Sequence, residues 1–154
     1  MDFARGVLQR ARLTPLESKV HECTNGDPWG PHGKDLSELA SCTHSASAEN
    51  RRQVVDFIWR RLGERPEQWR SVYKALSVVE YLLCHGSLEI VAELRAGVRR
   101  VAALSSFHYK DAEGKDQGIN VRVKSSTVAA VRLRSYSFFA RLTHCCSCWR
   151  TAPQ

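Results

Sequence analysis

Apolar residues recur at three- and four-residue spacing along most of the chain, the mark of helices that each bury one face. Over residues 3–12, Phe3, Ala4, Val7, Leu8 and Ala11 gather on one side of a helical wheel, while Arg5, Gln9, Arg10 and Arg12, with the preceding Asp2, fill the other. The pattern predicts a short, basic, amphipathic helix. Thr14-Pro15-Leu16-Glu17 has the form of a capping box with proline at the first helical position, so a separate helix is expected to start there, with Leu16, Val20 and Cys23 facing inward. It stops ahead of Asn25-Gly26-Asp27-Pro28, a turn signal that runs on through Trp29-Gly30-Pro31-His32-Gly33.

Asp35 is read as the cap of a helix whose inner face is Leu36, Leu39, Ala40 and Thr43. After Ser45-Ala46-Ser47, a longer helix carries Val54, Val55, Ile58, Trp59 and Leu62 and closes at Gly63. Pro66 is expected to open the next one. There Trp69, Val72, Tyr73, Ala75, Leu76, Val78, Val79, Tyr81, Leu82 and Leu83 leave little polar surface before Gly86, and a helix apolar nearly all round belongs at the centre of a bundle. Ser87 caps a further helix with Leu88, Val91, Leu94, Val98 and Val101, and residues 110–116 form a turn-rich loop. Residues 119–124 alternate like a strand, but a lone strand would have no partner, so this segment is read as helical. Trp29, Trp59, Trp69, Tyr73 and Tyr81 are assigned to the core rather than to base stacking. There is no internal repeat.

The 154 residues suit a single domain, and 43% hydrophobic with 25% charged residues is ordinary globular composition. No stretch approaches the roughly 20 apolar residues of a membrane-spanning helix. The N-terminus has no secretory apolar core, and Cys23, Cys42, Cys84, Cys145, Cys146 and Cys148 lack the spacing of a disulfide framework. They are read as thiols in a reducing, intracellular compartment. Net charge is +7, but residues 117–154 hold no acid and supply six of the seven through Arg122, Lys124, Arg132, Arg134, Arg141 and Arg150. A basic site in the body must therefore be local. His144 and the three cysteines after it are too crowded for a tetrahedral metal site, so no metal or other cofactor is expected. No nucleophile-and-base spacing and no phosphate-loop glycine pattern is present, so the chain is read as a non-enzyme.

The strings DPWGPHG (27–33), IWRRL (58–62), WRSVYKAL (69–76), EYL (80–82) and GKDQGINVR (114–122) occur in that order. Together they resemble the epsin N-terminal homology (ENTH) domain, in wording nearest to its plant and algal epsin-like clathrin interactors. The similarity spans about residues 3–131, leaving 132–154 as an atypical basic, Ser- and Cys-rich tail expected to be disordered or loosely docked. The resemblance implies an all-α, right-handed superhelical solenoid of seven to eight helices, preceded by the short amphipathic helix. It also implies a phosphoinositide-binding adaptor on cytosolic membranes in clathrin-linked vesicle formation and endocytosis. The expected partners are a phosphoinositide membrane, clathrin and adaptor machinery, with no nucleic acid, and the protein is expected to be a monomer. Its expected location is peripheral, on clathrin-coated vesicles, plasma membrane or trans-Golgi and endosomal membrane.

Carried over position by position, the family's headgroup residues match Arg61 and Lys74. Arg5, Arg10 and Arg12 join them from the N-terminal helix, whose Phe3, Val7 and Leu8 would enter the bilayer. His21 stands where some members have a stronger base, and Asn25 lies one place before the family's asparagine position, which is Gly26 here. Glu67 and Ser71 replace a lysine and a histidine. Reversing Arg61 or Lys74 to Glu is expected to weaken lipid binding without lowering thermal stability. The alternative is an ENTH-like protein-interaction module, or a truncated relative, with no specific lipid binding.

Overall fold

Thr14 closes both halves of a capping box: its side chain accepts from the Glu17 backbone N–H, and the Glu17 carboxylate accepts from the Thr14 N–H at 2.9 Å. This fixes the start of α1 (Pro15–Cys23) and, with it, the first described turn of the fold. The computed structural model describes residues 13–131. Its remaining helices are α2 (Gly33–Ser45), α3 (Ala48–Leu62), α4 (Trp69–His85), α5 (Leu88–Ala96), α6 (Val98–Ala103) and α7 (Gly118–Val131). One-turn 3₁₀ segments stand at Pro66–Gln68 and Leu104–Ser106. Among the described residues there is no strand, only a single bridge between Lys110 and Asp116. The helices stack as a right-handed superhelical solenoid.

The stack is organised around α4, which packs against α2, α3, α5 and α7. Val72, Ala75, Leu76, Val78, Val79 and Leu82 are almost wholly withdrawn from solvent, as expected of a helix without a polar face. Facing them are Val20 of α1, Leu36 and Leu39 of α2, Val54 and Ile58 of α3, Ile90 and Leu94 of α5, and Val121 and Val128 of α7.

Several local expectations need correction. Asp35 does not cap α2; His32 occupies that position without a side-chain bond, and Asp35 sits in the first turn, where its charge meets the helix dipole. Pro66 opens a 3₁₀ turn, and the α-helix begins only at Trp69. The helix read from Ser87 to Val101 breaks at Gly97 into two; an added Cβ at that position would run into the Trp59 indole, and glycine lets the backbone come in against that ring. Ile90, not Leu88, is the inward residue of its first turn, and Leu88 is exposed. Trp29 is not core at all: 63% of it is exposed on the loop between α1 and α2, whereas Trp59, Trp69, Tyr73 and Tyr81 do pack against the core.

The strand-like alternation at 119–124 is helical, as expected. Val121, Ser125 and Val128 face inward at helical spacing, while Ile119 and Val123 remain outside. The loop before α7 is pinned by Arg122, whose guanidinium donates to the Phe107 carbonyl at 3.0 Å and to Asp116 at 2.7 Å. Gly114 turns that loop at φ 83°, a left-handed conformation that favours glycine.

Candidate functional site

The end of α1 is where the sequence-derived residues meet. Thr24, fully buried, follows the last residue of α1 and donates its hydroxyl to the Val20 carbonyl at 2.7 Å. Its oxygen then accepts from Arg61 Nε at 3.2 Å, which ties α3 to the start of the loop. One residue on, Asn25 Oδ1 accepts from Lys74 Nζ of α4 at 2.6 Å. The loop thus holds one cation from each of two neighbouring helices through consecutive side chains.

Phe57 is the platform beneath Arg61. The guanidinium carbons of Arg60 and Arg61 lie 5.1 and 5.2 Å from its ring centroid, within cation–π range. The His21 ring approaches the same phenyl edge-on, at 6.2 Å between centroids and 66° between planes. Arg61 is additionally paired with Glu64, and Arg60 reaches Glu17 at 3.4 Å. A phosphate arriving at Arg61 would meet a guanidinium already oriented by Thr24 and Phe57, a fork suited to bidentate phosphate recognition. It would compete with Glu64 for that fork.

Lys74 differs from an ordinary surface cation, being only 3% exposed. Burial holds its ammonium below the usual lysine range, with the Arg70 charge acting in the same direction and Asp27 opposing both. An incompletely compensated buried ammonium gains from an anion more than a solvated one does, because less water must be displaced. Beneath the site, burial also pushes the Cys23 thiol up to about 12, so it is protonated and unreactive at neutral pH.

His21, Asn25, Arg61 and Lys74 therefore converge within the described residues. Arg5, Arg10 and Arg12, with Phe3, Val7 and Leu8, lie outside them, as does the tail from residue 132. Of the positions that depart from the family wording, Ser71 is buried and Glu67 is exposed. Sequence reasoning missed Phe57, Thr24 and Glu64. Phe57 lies four residues before Arg61, one helical turn, and that spacing is the signal that could have found it. A small cleft of about 140 Å³ beside Lys74 and Asn25 is rimmed by Trp29, Glu22 and Asp35. A larger one, about 490 Å³, lies at Glu17, Asp56, Trp59, Arg60 and Arg100; its two acids balance its two bases, and neither Arg61 nor Lys74 reaches it. Among the described residues, no three His, Cys, Asp or Glu side chains group as a metal site, and no helix is long and apolar enough to cross a membrane.

Residues 13–134 match the ENTH domain. The chain is 40% identical over 131 residues to the clathrin interactor EPSIN 2 of Arabidopsis thaliana, covering 84% of this chain and 14% of that protein. It is 39% identical over 115 residues to human Epsin-2, covering 75% of this chain and 18% of that one. It thus spans less than a fifth of the length of either relative. Among solved structures, the human epsinR ENTH domain superposes with a TM-score of 0.75 at 35% identity, covering 80% of this chain and 90% of that one. The ENTH domain from epsin-2 in complex with phosphatidylinositol 4,5-bisphosphate gives 0.72 at 25% identity, with 77% and 82% covered. The helical ANTH and ENTH tubules on PI(4,5)P2-containing membranes give 0.71 at 28%, with 87% and 86% covered.

Proposed function

The chain belongs to the ENTH domain family, and from that premise we propose that it is a phosphoinositide-binding, membrane-surface adaptor domain of clathrin-linked vesicle formation. The observation that carries the reading is the pairing at the end of α1: Arg61 held by Thr24 and Lys74 held by Asn25, two oriented cations from adjacent helices on consecutive loop residues. Two fixed cations held by consecutive residues of one loop suit a ligand with several phosphate oxygens. The relative solved with phosphatidylinositol 4,5-bisphosphate is a ligand precedent within the same fold.

In this reading, Arg61 and Lys74 grip the headgroup phosphates, His21 and Asn25 border them, and Arg5, Arg10 and Arg12 close over the headgroup from the N-terminal segment. Phe3, Val7 and Leu8 of that segment enter the acyl boundary, adding apolar area to the electrostatic attraction. The domain acts without bond-making chemistry, and its placement is peripheral, on cytosolic membranes where clathrin coats assemble. Clathrin and adaptor partners are inferred from similarity to proteins named as clathrin interactors.

The test is co-sedimentation of the full chain with phosphatidylcholine vesicles, with and without phosphoinositide, across a salt series. Preferential binding to the phosphoinositide vesicles that falls as salt rises supports the reading. Equal binding to both vesicle types would favour a protein-interaction module without lipid specificity.

A further inference from the structure

The loop joining α1 to α2 presents a large aromatic side chain that the fold does not use. Trp29 is 63% exposed, although the other described tryptophans pack against the core. The loop is stiff: Pro28 and Pro31 restrict its backbone, and the Asp27 N–H bonds to Asn25 Oδ1 at 3.4 Å. Its tip is also unobstructed, since a Cβ added at Gly30 would meet nothing within 4 Å. Presenting the indole therefore costs little further ordering on contact with a surface.

Position decides what it meets. Trp29 rims the same small cleft as Lys74 and Asn25, and Asn25 is the residue that both braces this loop and orients the Lys74 ammonium. A lipid whose phosphate reaches Lys74 would bring the headgroup layer against the loop tip. Charge alone gives poor adhesion there, because Glu22, Asp27 and Asp35 on the loop and its flanking helices oppose Lys74 and the neighbouring Arg70. An indole has an apolar body and a polar N–H, the combination that favours the membrane–water boundary.

We infer that Trp29 is an interfacial anchor that enters the headgroup layer beside an anionic lipid held at Lys74 and Arg61. The inference rests on the lipid-binding reading above and adds a salt-insensitive contribution to it from a residue outside the phosphate contacts.

The test compares the parent chain, W29A and K74M on phosphatidylcholine vesicles with and without phosphoinositide, and with soluble inositol bisphosphate. W29A is expected to keep the parent's melting temperature and its affinity for the soluble headgroup, while losing vesicle affinity by about tenfold, the scale of withdrawing part of an indole from an apolar phase. Its dependence on salt should match the parent's, whereas K74M should flatten that dependence. With brominated phosphatidylcholine in the vesicles, the parent's tryptophan emission should be quenched more than that of W29A. If the parent prefers phosphoinositide vesicles and W29A binds them equally well, the anchor is refuted while the lipid-binding reading stands, and the exposed Asp27-Pro28-Trp29 turn would pass to a protein partner. If the parent shows no preference for phosphoinositide and W29A behaves like it, both inferences fall.

Discussion

The Nζ of Lys74 donates to Oδ1 of Asn25 at 2.6 Å, across the boundary between the central helix and the loop that follows α1. The bond makes the loop and the cation proposed to meet the phosphate one unit. The structural cost of burying Lys74 and its proposed role in binding can be separated by substitution.

Replacing Lys74 by Met removes the charge and keeps most of the stem's volume. K74M should keep stability within about 1 kcal/mol of the parent, since isosteric apolar replacement of a buried charge is often neutral or better. It should lose headgroup binding. K74E should be worse than inactive: a carboxylate placed there faces Asn25 Oδ1 and the Asp27 charge with little solvent, costing on the order of 3 kcal/mol. The sequence-based expectation that charge reversal at Lys74 spares thermal stability does not fit a side chain only 3% exposed. Parallel denaturant titrations and vesicle binding check both outcomes.

The same burial gives a pH signature. The Lys74 ammonium is held below its ordinary value of 10.5, so in the window between the lowered value and 10.5 the unfolded chain binds more protons at this site than the folded one. Stability contributed by this site must then rise with pH across that window, and its penalty is fully present below it. The unfolding free energy of the parent minus that of K74M should increase between pH 7 and pH 10. A difference that stays flat or falls would show that Lys74 is not desolvated in solution.

Gly97 and Trp59 offer a test of the packing. With φ near −91°, Gly97 needs no special backbone freedom; what it provides is room for the indole. Gly97→Ala should destabilise the domain by about 1–3 kcal/mol through overpacking, even though alanine is the better helix former. Thermal denaturation measures it, and an unchanged or raised midpoint would mean that Trp59 moves aside freely.

How far the sequence could be read depends on whether a position's environment is set locally. Val20, Leu39, Val54, Ile58, Leu76 and Leu82 follow helical periodicity, and periodicity put them in the core. Leu88 and Ile90 are two residues apart and both strongly apolar; which one turns inward depends on how α5 lies against α4, a tertiary matter that spacing does not carry. Trp29 was assigned to the core together with the other large aromatics, yet its loop has no helix to aim it. At the site, Arg61 and Lys74 were legible through family wording. Asn25 was a candidate in its own right, but Thr24 was not, and neither pairing could be read: 37 and 49 residues separate Thr24 from Arg61 and Asn25 from Lys74, and only folding brings them together.

The most direct test of the central claim is side-chain nuclear magnetic resonance of the full chain titrated with soluble inositol bisphosphate, following Lys74 Nζ, Arg61 Nε and the Asn25 side-chain amide. If the cations at the end of α1 hold the headgroup phosphates, all three resonances should move together and saturate with a single affinity, and K74M should abolish the response at Arg61 and Asn25 without altering the buried methyls of α4. Saturating shifts confined to other residues, or none at these three, would contradict the account.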